Sequence, residues 1–443
     1  MLMAGEWGYA QVDTDATAKT RALYNNLRLV QRSDKFLFGQ EFFNSYRYIS
    51  GAAHGDENYS DSKAVTGSHP ALLGSDFLYY LSKDATERGY HTQAVKWAFQ
   101  QGCVITFDWH LSGRGTDTYA YSASTASLVN NIVSNQNGDR DWFLGQLDKV
   151  IDIINKDLVV GEDTIPIVFR PFHEMNGDWF WWGSRATTAA NYKQLYALTA
   201  DYVKARTRSV LFCWSPNTPL NLDYYPGDAY VDIVGLDAYE VATPGIRTEL
   251  GKLADHARAH NKVAVLAETG NRTSVGNDAA MYWNNTVLPA LLDDPTGKSS
   301  QLAWMLTWIN SSWSYPYVPY AGSSQAARQS FIDFKNSGHV IFADGLDDMY
   351  TITDIAVATE QDFANQAIKV YPVPTDDVVH VVIDNLTHAV TIRLFDARGA
   401  VVYQLITQNE NTVLHLKGMV RPGIYLLQVT DRRLTVNKKI LIN

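Results

Sequence analysis

Short apolar runs and longer amphipathic stretches alternate along the first three quarters of the chain. The runs occupy 36–40, 71–77, 103–110, 165–174, 210–217, 231–239, 263–270 and 302–310. Their length and β-branched or aromatic content predict buried strands. Apolar residues recur at helical spacing in 17–30, 92–100, 142–156, 189–206, 245–260 and 277–292, which predicts helices between the strands. Strands that alternate with helices pair in parallel through crossovers. Eight such units predict an α/β fold of the (β/α)8, or TIM, barrel type. A doubly wound sheet is the competitor. No Gly-rich phosphate turn follows the first run, where Gly39-Gln40-Glu41 stands, so that fold lacks its usual fingerprint.

Polar and aromatic residues collect at the C-terminal ends of the runs. They are Asp76; Asp108, Trp109 and His110; His173 and Glu174; Trp214 and Asn217; Asp237 and Tyr239; Glu268; and Trp308. In a barrel these ends share one face, and that face carries the chemistry. Two insertions, 45–69 and 111–140, are rich in Gly, Ser and other polar residues, and they predict long loops over the same face. An aromatic loop spans 311–320, and a helix over 324–335 closes the barrel.

From residue 368 the texture changes to short β-type runs at 378–383, 390–395, 401–406, 413–416, 424–429 and 434–442, with turn residues between them. This predicts a small all-β sandwich. The expected domains are therefore a catalytic barrel over 1–350, a linker over 351–367 and a β-sandwich over 368–443.

Composition narrows the partners. Lys and Arg number 37 against 47 Asp and Glu, a net charge of −10, which argues against nucleic acid or an anionic membrane as partner. Aromatics reach 12%, with 12 Trp and 25 Tyr, and carbohydrate binding is a common use for such an excess. Cys103 and Cys213 each lie in an apolar run and read as buried, unpaired thiols. The chain has no apolar run of the roughly 18 residues that a membrane span needs. Its start, Met1-Leu2-Met3-Ala4-Gly5-Glu6-Trp7, has no signal-peptide pattern.

The densest chemistry lies in Phe169-Arg170-Pro171-Phe172-His173-Glu174-Met175-Asn176-Gly177-Asp178-Trp179-Phe180-Trp181-Trp182-Gly183. A carboxyl that can donate a proton, set beside flat rings that can hold sugar faces, suits glycoside cleavage. That reaction uses two carboxylates across the scissile bond. Glu174 is the first candidate, and Glu268 at the end of the seventh run is the second. A zinc-protease reading fails because Gly177 stands where a second His is needed. A serine-nucleophile reading lacks its Gly-x-Ser-x-Gly elbow. No metal and no cofactor is expected, although Asp76, Asp108 and Asp237 could together hold a cation.

Taken together, Asp108-Trp109-His110, the Arg170 to Gly183 segment, Trp214-Ser215-Pro216-Asn217, Asp237-Ala238-Tyr239, Glu268-Thr269-Gly270 and Trp308 resemble glycoside hydrolase family 26, with His69-Pro70-Ala71 also fitting. The family's best-known members are endo-β-1,4-mannanases. The resemblance implies a retaining double displacement with Glu174 as acid/base and Glu268 as nucleophile, the two carboxyls about 5–5.5 Å apart. It implies β-mannan polysaccharide or manno-oligosaccharides as substrate. A β-1,3-1,4-glucanase, a β-1,3-xylanase or a non-catalytic glycan-binding surface protein are the alternatives. By type and place, Trp179 and Trp308 are expected as sugar platforms. His110, His173 and Asn217 are expected to bind hydroxyls, with His173 alternatively reaching the nucleophile. Tyr239 is expected to hold the nucleophile's oxygen, and Arg170 to keep it charged or, alternatively, to brace the barrel. Trp181 and Trp182 are adjacent, so at most one can face the cleft.

The tail has its own resemblance. Tyr371-Pro372-Val373-Pro374-Thr375, Ile392-Arg393-Leu394-Phe395-Asp396-Ala397-Arg398-Gly399, Gly423-Ile424-Tyr425-Leu426-Leu427-Gln428-Val429 and Lys438-Lys439-Ile440 resemble the C-terminal sorting domain of the type IX secretion system of Bacteroidetes. Val373 stands where Asn is usual. This implies secretion or display at the cell surface, the type IX machinery as partner, and an N-terminal signal peptide trimmed from this sequence. A carbohydrate-binding module is the rival, but the tail holds no Trp.

Overall fold

The computed structural model describes residues 11–272, 281–351, 368–383, 389–396, 398–430 and 435–443. The chain falls into two compact units, one formed by Met1–Pro295 with Ser299–Ile352, the other chiefly by Thr353–Asn443. Most of the expected linker lies outside the described residues.

The larger unit is a closed parallel barrel. Its strands are β1 (Phe36–Glu41), β2 (Leu72–Asp76), β3 (Val104–Trp109), β4 (Ile167–Pro171), β5 (Val210–Trp214), β6 (Ile233–Tyr239), β7 (Val263–Gly270) and β8 (Trp304–Thr307). Each pairs with the next, and β1 closes on β8. All eight fall within the apolar runs, apart from the last residue of β1. A further short strand, Val340–Ile341, pairs with β1.

Strand alternation divides the core in two. Phe36, Phe38, Ile105, Phe107, Ile167, Phe169 and Phe212 pack outward under the helices. Leu37, Leu72, Val104, Val168, Leu211, Ile233, Val263 and Trp304 fill the interior, together with Leu23, Tyr24 and Leu27 of helix α1 (Ala18–Arg32). This is the period-two pattern of a barrel wall buried on both faces.

The main outer helices are α2 (Ala85–Gln100), α3 (Asp139–Asp152), α4 (Ala189–Lys204), α5 (Thr243–Ala259) and α6 (Gln325–Lys335). Thr17, Asp84, Thr188 and Ser324 start α1, α2, α4 and α6 by accepting hydrogen bonds from first-turn amides, which satisfies donors that a helix start otherwise leaves free. The two insertions are not wholly irregular, for they contain short helices Asp61–Thr66 and Leu128–Ser134. Of the helix expected at 277–292, residues 277–280 lie outside the described residues. The rest includes a π turn, Trp283–Val287, and Leu288–Leu292.

The smaller unit has seven strands: β9 (Ile368–Tyr371), β10 (Val378–Ile383), β11 (Val390–Phe395), β12 (Val401–Thr407), β13 (Asn411–His415), β14 (Gly423–Thr430) and β15 (Thr435–Ile442). They form antiparallel sheets in the orders β9-β10-β13 and β12-β11-β14-β15. Val379, Val381, Ile392, Leu394, Leu414, Leu427 and Ile440 from both sheets share one core. Sequence reading anticipates six of these strands. It misses β9, which is only four residues long and precedes the prolines. No helix among the described residues is long and apolar enough to cross a membrane.

Candidate active site

The interior positions of the barrel turn from apolar to charged at the C-terminal strand ends. Val104, Thr106 and Asp108 share one face of β3, as Val168 and Arg170 do on β4. Glu41 follows Leu37 and Gly39 on β1, and Asp76 follows Leu72 and Gly74 on β2. A Cβ on Gly74 would meet the Glu41 carboxyl at 2.1 Å, so only glycine leaves room for that group.

Arg170 is the buried cation at the centre. It donates to Asp237 at 2.9 Å, Ser215 at 3.1 Å, Asp108 at 3.3 Å and Glu268 Oε1. Burial lifts Glu41 well above the usual carboxylate range, helped by the Glu268 charge. Burial also lifts Asp108, with Asp76 adding to it, and lifts Asp237, with Glu268 adding to it. One guanidinium is shared among several carboxylates, and their mutual repulsion adds to the upward shift. Among the described residues, Glu41 Oε2, Asp108 Oδ1 and Asp237 Oδ1 find no hydrogen-bond partner.

Glu268 is held at both oxygens. Arg170 donates to Oε1, and the Tyr239 hydroxyl donates to Oε2 at 2.7 Å. Burial first, then the Glu268 charge, raises the Tyr239 phenol far above its usual range, so it remains a donor.

Glu174 does not lie on its strand. The expected strand over 165–174 ends at Pro171, and the chain turns through positive φ at Phe172 and Glu174, both +54°. Non-glycine residues rarely adopt this region. Hydrogen bonds fix it here, since Glu174 N donates to Ser215 O and Gly177 N donates to Glu174 O, both at 2.9 Å. Such strain is held by surrounding structure and is frequent at functional sites. Among the described residues the Glu174 carboxyl accepts a bond from Trp179 Nε1 at 2.8 Å. Burial and then the Glu268 charge push its pKa up to about 7.

His110 and His173 stand beside this pair with ring centres 4.7 Å apart. Asp76 fixes His110 by accepting from its backbone N at 3.1 Å and lying 2.8 Å from Nδ1. Burial holds His173 neutral, its pKa well below the usual range, with Arg170 adding to the effect. Asp108, His110 and His173 bring potential metal-binding atoms within 4.8 Å of one another. Asp108 is already shared with Arg170 at 3.3 Å, and a fixed guanidinium beside it opposes a second cation. The acidic set named from sequence is likewise taken up, because Asp108 and Asp237 both accept from Arg170 and Asp76 holds His110.

The expected platforms differ. Trp179 is 40% exposed. Trp308 is half-buried, 5.9 Å from His110 by ring centres. Trp181 and Trp182 are both buried, donating to Leu111 O and His173 O, so neither presents a face to the cleft. Asn217 spends its amide on Thr218 O at 3.1 Å, and its backbone N donates to Asn176. Sequence reading missed Glu41, although the alternation Leu37-Gly39-Glu41 places it inward. It also missed Tyr119, whose ring lies 4.6 Å from His110, because nothing local in an irregular loop marks it.

Residues 12–289 match the model of glycosyl hydrolase family 26, and 369–443 match the secretion system C-terminal sorting domain. A mannan endo-1,4-beta-mannosidase of Bifidobacterium adolescentis is 28% identical over 333 residues, covering 67% of this chain and 32% of that protein. The GH26C structure from Muricauda superposes with TM-score 0.69 at 27% identity, covering 80% of this chain and 99% of that one. A GH26 beta-mannanase structure from Bacteroides ovatus gives 0.67 at 26% identity, covering 76% and 98%. The chain spans between a third and a half of the length of the first curated relatives it matches.

Proposed function

The chain belongs to glycosyl hydrolase family 26, and from that premise we propose that it is a retaining endo-β-1,4-mannanase, cutting internal bonds of mannan, glucomannan or galactomannan. The observation that carries this reading is a pair of neighbouring carboxyls in opposite environments. Glu174 is half-buried, with the Trp179 indole as its donor and a pKa of about 7, so it carries a proton in mildly acidic solution. Glu268 is gripped at both oxygens by a guanidinium and a phenol, two donors that hold it in place for attack.

Glu174 protonates the departing glycosidic oxygen while Glu268 attacks the anomeric carbon. The covalent glycosyl-enzyme neutralises Glu268 and removes one cause of the raised Glu174 pKa. Glu174 then accepts a proton from water, which hydrolyses the intermediate. Trp179 and Trp308 stack on sugar faces, and His110, His173 and Asn217 approach hydroxyls. Asn217 does so once its contact with Thr218 O is exchanged.

Sugar release from mannan, lichenan and β-1,3-xylan tests the substrate. Proton NMR of the first product tests retention, with the β-anomer expected to appear first. Preferential release from lichenan or xylan would favour the glucanase or xylanase reading on the same barrel. Binding without release would favour a silent glycan-binding protein. The C-terminal sorting domain directs the chain to the cell surface or the outside, and we assign its recognition to the type IX secretion machinery.

A further inference from the structure

Among the described residues two tryptophans stand exposed, Trp179 at 40% and Trp313 at 55%. Trp179 donates to Glu174 and belongs to the site already described. Trp313 lies beyond residue 289, where the family match ends. It sits on the loop after β8, between Trp308, 5.9 Å from His110, and Tyr317, 6.0 Å from Tyr239 by ring centres. Both ends of this loop therefore adjoin the active site.

The Trp313 indole is fixed. Its only polar atom, Nε1, donates across to Gly51 O on the loop after β1 at 2.9 Å. Its ring stands at 89° to the buried Tyr46 ring, centres 6.2 Å apart. The loops after β1 and β8 are in close contact here, since a Cβ on Gly51 would lie 2.1 Å from Ser312 Oγ. Gly51 also has φ +62°, so this position suits glycine on both counts. Asn310 braces the loop from within, donating to Asp61 and Val318 O and accepting from Val318 N. An indole whose N–H is satisfied by a carbonyl of the neighbouring loop, and which is more than half exposed, presents a flat apolar surface to water. Trp308 packs on the buried cluster of Phe42, Tyr46 and Ile309, and Tyr46 of that cluster also adjoins Trp313.

We propose that Trp313 is a further carbohydrate platform, on the rim between the loops after β1 and β8, which stacks a pyranose ring of the polysaccharide outside the cleavage site. The inference rests on the glycosidase reading and extends it to chain-length dependence. The test compares kcat/KM on mannohexaose and mannotriose for the unaltered chain, Trp313→Ala and Trp313→Phe. The long-to-short ratio is expected to fall about fivefold or more in Trp313→Ala and to recover largely in Trp313→Phe. An unchanged ratio, or equal loss on both lengths, overturns the platform. If the unaltered chain hydrolyses no mannan, the function proposed above fails on its own. Retention of Glu174→Gln in gels containing mannan, lichenan or β-1,3-xylan then reads the platform alone. Weaker retention after adding Trp313→Ala supports it, and equal retention overturns it.

Discussion

Glu268 stands directly opposite Asp237 across β6 and β7, one residue out of step with the pairing below it. Leu236 faces Leu266, yet Asp237 faces Glu268, so Ala267 is an extra residue in the ladder. The pairing with β8 shifts over the same stretch. Val265 and Ala267 both pack in the barrel interior, while Leu266 packs outside. Strict alternation would therefore turn Glu268 outward with Leu266. The bulge turns it inward to Arg170 and Tyr239, which is a recognised use of bulges beside active sites.

Glu174→Gln and Glu268→Gln should each lower kcat on mannan by about a thousandfold or more. Both should unfold at or above the temperature of the unaltered chain, because each removes charge from a crowded acidic cluster. Glu174→Gln should lose much less on an aryl mannobioside whose leaving group needs no proton. Near-normal mannan hydrolysis by either variant would refute the assignment.

The pH profile follows from Glu174. Its catalytic form in the first step is protonated, and its pKa is about 7. Activity should therefore fall as pH rises through that value. The Trp179 N–H stabilises the carboxylate and lowers this pKa. Trp179→Phe should move the alkaline limb of kcat/KM to higher pH while weakening substrate binding. A limb that stays put or moves down would show that the indole contact does not tune the acid.

Tyr239→Phe removes one of the two groups holding Glu268. A hydrogen bond to a charged group is worth about 1.5–3 kcal/mol. The expected loss is about ten- to a hundredfold in kcat, with KM little changed, read from steady-state kinetics on a soluble galactomannan.

Arg170→Met leaves Asp108, Asp237 and Glu268 buried without their shared cation. Removing one partner of a buried ion pair costs about 3–5 kcal/mol. Urea unfolding should show a loss of that order in the barrel. A stability equal to the unaltered chain would mean that the acids are already fully neutralised by protonation.

Much of this protein could be read without coordinates. Eight apolar runs separated by amphipathic stretches define the barrel because period two and period 3.6 are local properties of a chain. The same alternation places Asp108 and Arg170 on inward faces. The tail's alternating runs define its sandwich for the same reason. Other features depend on contacts between distant segments. The bulge at Ala267 exists only against the partners on β6 and β8. Glu174 leaves its strand through two positive-φ residues and bonds across to Ser215. The sequence leaves room for one of Trp181 and Trp182 to face the cleft, yet both are drawn inward by carbonyls of Leu111 and His173. Residue types along the chain determined which chemistry was possible. The closed barrel decided which carboxyl keeps its proton, because burial, Arg170 and the facing acids reach each group only when the eight strand ends meet.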